Sequence, residues 1–84
     1  MPSWSFLWDE EKGGNVEHLG EHDLTPEDAE HAFNSAYKHT KSRSSGRPAI
    51  YGLTADGRTI FVVYEEIAVG LIYVYSAYEI GGKR

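Results

Sequence analysis

The apolar positions along this chain change their period as it proceeds. Trp4, Phe6 and Trp8 alternate with Ser3, Ser5 and Leu7, which predicts a short strand of about five residues. Asp9 then stands as a helix N-cap, and Glu10 and Glu11 suit the positive end of the helix dipole. A helix over about Glu10–Glu21 sets Trp8, Lys12, Val16 and Leu19 on one stripe. Gly13, Gly14 and Gly20 each cost about 1 kcal/mol relative to alanine there, so packing must hold this helix. The next signal is stronger. Thr25-Pro26-Glu27-Asp28 sets out an N-cap threonine, a proline at the first helical position and an acid three residues after the cap. Leu24 and Ala29 sit at the two positions of a hydrophobic staple. Ala29, Ala32, Phe33 and Ala36 give an apolar face, and Asn34 or Ser35 ends the helix.

From Tyr37 the period becomes two. Tyr37–Ser42 is a weak strand pattern. Arg43-Ser44-Ser45-Gly46-Arg47 reads as a polar loop. Pro48–Thr54 is a strand whose proline stands first, where a missing N–H is tolerated. Ala55-Asp56-Gly57-Arg58 carries the Asp-Gly hairpin signal. Thr59–Glu66 is the most β-like run, a turn through Ala68 and Gly70 follows, and Leu71–Ile80 is the last strand, with residues 80–84 expected to fray. The expected fold class is α+β in a single domain spanning residues 1–84. It comprises a short N-terminal strand and two helices packed on one face of a three- to four-stranded antiparallel meander. The opposite face keeps Tyr73 and Tyr75, more aromatic surface than a plain solvent face needs.

Composition narrows the class without naming an activity. The chain has 84 residues, 40% hydrophobic and 25% charged, with 13% aromatic, enough large rings for a short chain to build a core. No apolar run approaches the roughly 18 residues of a membrane span. Met1–Phe6 lacks the pattern of a secretory leader, and there is no cysteine, so the expectation is a cytoplasmic protein without disulfides or thiolate metal sites. The net charge of −5 conceals a division: nine acids and one base before Lys38, seven bases and four acids from Lys38 onward. The second half therefore does not exclude a nucleic-acid partner.

The candidate chemistry lies in histidines, arginines and tyrosines. His18-Leu19-Gly20-Glu21-His22 matches the H-x-x-E-H pattern of zinc hydrolases. A third ligand and a cleft are wanting in so short a chain, so no metal and no cofactor is expected. His22 can instead transfer protons near neutral pH, or simply cover the end of the core beside Leu19. Arg43, Arg47 and Arg58 bring guanidinium forks suited to phosphate, or a solvated rim. Tyrosines on an open sheet face can stack bases. Together these groups suffice for metal-free RNA cleavage.

The order of short motifs resembles one family. Trp8-Asp9-Glu10-Glu11-Lys12, Asn15, then Glu21-His22 leading into Asp23-Leu24-Thr25-Pro26 looks like the opening of the BrnT-type toxins and their diverged branch. Arg47, Gly52, Thr54-Ala55-Asp56-Gly57-Arg58, Ile60–Val63 and Ser76-Ala77 continue the likeness, which spans about Phe6–Glu79. The resemblance implies a RelE-like fold, metal-independent endoribonuclease action on mRNA, and a DNA-binding antitoxin partner in a type II toxin–antitoxin system. Lys12, His22, Arg47 and Arg58 match the family's polar positions. The expected catalytic set is His22, Arg47, Arg58 and Tyr78, with Lys12, Arg43 and Tyr73 binding RNA. Asp23 stands where the family prefers glycine, and Tyr73, Tyr78 and Glu79 stand where its last strand carries arginines. Two readings are therefore open: a ribonuclease toxin, or a non-catalytic protein-interaction module of the same fold, with a homodimer among its expected partners.

Overall fold

The computed structural model describes residues 4–80. Its elements run β1 (Ser5–Leu7), α1 (Asn15–Gly20), α2 (Pro26–Asn34), β2 (Lys38–Lys41), β3 (Pro48–Leu53), β4 (Thr59–Ala68) and β5 (Leu71–Glu79). The domain is α+β, and the sheet is larger and less regular than an antiparallel meander. It has five strands in the order β1-β5-β4-β3-β2. β2 to β5 are antiparallel neighbours, whereas β1 pairs in parallel with β5, Ser5 opposite Leu71 and Leu7 opposite Tyr73. Nothing in strand-by-strand patterning reveals that pairing, because the two partners are separated by the rest of the chain.

The stretch Glu10–Gly14 is not helical. Asp9 takes part in a turn instead of capping a helix: its carboxylate accepts from the Glu11 N–H at 3.0 Å, and Gly13 turns the chain at φ 82°. Asn15 then fixes the start of α1. Its amide oxygen accepts from the Asp9 N–H at 2.7 Å and its amide nitrogen donates to the Leu7 carbonyl at 3.0 Å. Buried Asn15 thus ties the exit of β1 to the helix with both ends of its side chain. In α2 the anticipated capping box is present, with Thr25 and Asp28 each bonding the other's backbone N–H.

α2 packs across β3 and β4, and α1 lies against β5. The main core gathers Leu19, Leu24, Ala29, Ala32 and Phe33 over Ile50, Ile60, Val62, Ile72, Val74 and Ala77, with Phe6 and Trp8 closing one side. Gly52 lets α2 come this close: a Cβ there would run into the backbone of Ala32. The two helices do not share one face evenly. α1 sits beyond the point where β1 leaves off; Leu19 enters the core while His18 borders Tyr73 and Tyr75 of the opposite face.

That opposite face has a smaller cluster of its own, Ala49, Phe61 and Val63 with Tyr51, Tyr75 and Ile80 packed on it. Ile80 belongs to the fold, its N–H donating to the Thr59 carbonyl at 3.0 Å. The remainder of the expected frayed tail, residues 81–84, lies outside the described residues, as do residues 1–3. One irregularity shapes this face. Val63 pairs with Ser76 but Tyr64 with Val74, so Tyr75 is an extra residue in β5. Such a bulge resets the alternation of side chains. Tyr73, Tyr75 and Tyr78 consequently all reach the open face, and Ala77 turns into the core.

Candidate functional site

The open face carries a layer of rings. Tyr51 packs edge-on to Phe61 at 4.9 Å between centroids, Phe61 meets Tyr78 at 5.5 Å, and Tyr73 meets Tyr75 at 4.9 Å. The loop between β2 and β3 borders this layer with Arg43 and Arg47. Its shape is set by Gly46 at φ 73°, whose N–H donates to the Ser42 carbonyl at 2.8 Å. Arg47 sits over Tyr75, the guanidinium carbon 4.0 Å from the ring centroid, a geometry in which the ring's negative face attracts the cation. Glu65 completes the group. It accepts the Tyr75 hydroxyl at 3.0 Å and lies 3.8 Å from Arg47 Nε. Both partners of that ion pair are about half exposed, so it is weak and exchangeable.

Three hollows adjoin one another here. The first, about 310 Å³, is lined by Arg43, Lys41, Tyr51, Phe61 and Tyr78 among others. The second, about 250 Å³, lies between Arg47, Tyr75, Ser76 and Tyr78. The third, about 190 Å³, is closed by His18, Tyr73, Tyr75 and the backbone of Gly13 and Gly14.

Of the sequence-predicted residues, Arg43, Arg47, Tyr73 and Tyr78 line these hollows, whereas His22, Lys12 and Arg58 line none of the three. Tyr78 lines both the first and second hollows, and the His22 ring stands 6.2 Å from it. Arg47 faces the second hollow, Arg43 the first and Tyr73 the third. Lys12 is exposed in the turn before α1. Arg58 is engaged by acids and by the residue after His22. Its Nε lies 3.1 Å from Asp56, its Nη2 3.4 Å from Asp28 at the start of α2, and its Nη1 donates to the Asp23 carbonyl at 3.4 Å. The Arg58 fork thus fastens the β3–β4 turn to α2. Asp56, which also accepts from the Thr54 hydroxyl, is held below the usual carboxylate range by that bond and by Arg58.

Asp23, at the position where glycine was expected, is the one non-glycine among the described residues at positive φ, 63°. Aspartate tolerates that left-handed conformation better than most residues. Phe61 and Glu65 were not expected at the site, and His18, singled out in the H-x-x-E-H pattern, was given no role there. The two-residue period of Phe61, Val63 and Glu65 was the available signal that they share a face. Among the described residues, no three His, Cys, Asp or Glu side chains are grouped to hold a metal ion, and no helix is long and apolar enough to cross a membrane.

What the fold and site define is a small α+β domain with an aromatic, arginine-edged open sheet face. No protein-family model, no curated protein and no solved structure matches the chain.

Proposed function

We propose that this chain is a BrnT-like toxin component of a type II toxin–antitoxin pair, with a RelE-like fold, and that its open sheet face binds and cleaves single-stranded RNA. The observation that carries the reading is the convergence on Tyr78. The His22 ring stands 6.2 Å from this ring, and Arg43 and Arg47 line the two hollows that share it. Rings offer stacking platforms for bases of any identity, and guanidinium groups neutralise phosphate.

The chemistry needs only these side chains. The 2′-oxygen of one nucleotide attacks the adjoining phosphorus as the bond from phosphorus to the 5′-oxygen breaks. The products are a 2′,3′-cyclic phosphate and a 5′-hydroxyl. His22 takes the proton of the 2′-hydroxyl and returns it to the departing 5′-oxygen, Arg47 neutralises the charge that builds on the non-bridging phosphate oxygens, and Tyr78 orients the base. Arg58, committed to Asp28 and Asp56, has no part in the step. The test is incubation of 5′-labelled RNA with pure protein, with and without EDTA. Cleavage should persist in EDTA and fall at least a hundredfold in His22→Gln and in Arg47→Ala. RNA left intact at high protein concentration overturns the ribonuclease reading.

A second reading, a non-catalytic interaction module that docks a partner such as an antitoxin, is favoured by one observation. β4 runs past the end of β3, so Tyr64–Ala68 has β5 on one side and, among the described residues, no strand on the other. Ile67 and Val69 at this overhang are 46% and 101% exposed. An open strand edge with apolar side chains is a template for strand addition.

A further inference from the structure

We infer that the open face is a track for three consecutive nucleotides of single-stranded RNA, one in each hollow, with Tyr78 and Tyr75 as the dividing walls. This rests on the RNA reading above and deepens it by fixing the length and order of the ligand.

The three hollows form a series. The first and second share Phe61, Tyr78, Ser42 and Ser44; the second and third share Tyr75. Each is walled by aromatic rings, and each is small, at 310, 250 and 190 Å³, a size that suits one flat unit better than a whole extended ligand. Repetition of a small ring-walled space is what a chain of stacking bases requires, since every base has a π-face.

Two hydroxyls fall between the first two spaces, where the backbone would pass. The Ser42 and Ser44 hydroxyls lie 3.3 Å apart on the wall common to the first two hollows, a place where they can donate to a bridging phosphate. Arg43 and Lys41 serve the first hollow and Arg47 the second. The third has His18 and, among the described residues, no lysine or arginine in its lining, so it gains mainly by stacking. Asn15, at the floor of the third hollow, has its amide oxygen and nitrogen both engaged with backbone, and the first hollow opens at the edge strand β2, beside Thr40. Charge agrees with an anionic occupant at one end and a weakly charged contact at the other.

Calorimetric titration with 2′-O-methyl oligouridylates of one, two, three and four nucleotides tests the track, the methyl group preventing cleavage during the measurement. Affinity should rise roughly tenfold at the second and again at the third nucleotide, from the stacking of each added base, and level off at the fourth. His18→Ala should lose the third step and keep the second, and the retained second step reports that the variant is folded. Affinity indifferent to length, affinity that keeps climbing beyond three, or a His18→Ala loss equal at all lengths would overturn the track while leaving RNA binding in place. Absence of binding at every length overturns the track together with the RNA reading, and turns the face over to a protein partner.

Discussion

At the scale of single residues, environment decides which of several similar side chains is available for chemistry. Arg47 and Arg58 were equivalent by sequence, each beside a turn. One lies over a ring on the open face, and the other is clamped between two aspartates. The acids that capture Arg58 come from Asp28 in a helix and Asp56 in a turn, so only the folded chain shows the difference. Tyr64 offers a residue-level test with a defined sign. Its ring packs edge-on to Phe33 at 4.9 Å. Burial, and then the charge of Glu66, raise its phenol above the ordinary value of 10.0. The unfolded chain loses this proton near pH 10, earlier than the folded one. The stabilisation is therefore complete below about pH 10 and is lost as pH climbs through the higher folded value. Melting temperature measured from pH 8 to 11 should fall at the alkaline end, and the fall should be shallower in Tyr64→Phe.

At the scale of elements, legibility followed how local the determining contacts are. The capped helix α2 could be read from Thr25 to Asn34, because its signals lie within one turn of its own start. β3, β4 and β5 were legible to within a residue or two at their ends for the same reason, their turns being marked by Asp56-Gly57 and Gly70. α1 was misjudged, because Asp9 and Asn15 settle into each other across the intervening turn and leave only six residues for the helix. The candidate site was legible in kind, with histidine, arginine and tyrosine around an open face. Its arrangement depended on the extra residue at Tyr75, and a bulge leaves no clear mark in a run such as Tyr73-Val74-Tyr75-Ser76. The seating of α2 on β3 supplies the test at this level. Gly52→Ala puts a methyl group against the Ala32 backbone, which a rigid helix cannot yield to locally. It should destabilise the protein by about 2–3 kcal/mol in urea unfolding, more than an added methyl group on a strand would otherwise suggest.

At the scale of the whole molecule, the parallel pairing of β1 with β5 closes the domain. Phe6 meets Phe33 at 5.4 Å and stacks near Trp8, whose indole N–H donates to Glu30 at 2.7 Å. Three residues of strand thereby join β5 to α2 around the edge of the core. Phe6→Ala should lower stability by about 2–3 kcal/mol, with all probes still melting together, since so small a core unfolds as one unit. A separate early loss of tryptophan fluorescence would show that β1 is an independent flap. The charge division of the sequence also survives folding in part, since Arg43, Arg47 and Lys41 border the open face and the acidic residues Glu10, Glu11, Glu17 and Glu21 lie in and around α1, exposed or partly so.

The position of β1 also bears on how the protein is made. Among the five strands of the described residues it leaves the ribosome first, and the strand it pairs with, β5, leaves last. Until β5 has emerged, Phe6 and Trp8 have α2 to pack on but no β5 edge to cover. Closure of the longest loop in the fold is thus left to the final step, a slow order of events that exposes apolar surface to chaperones.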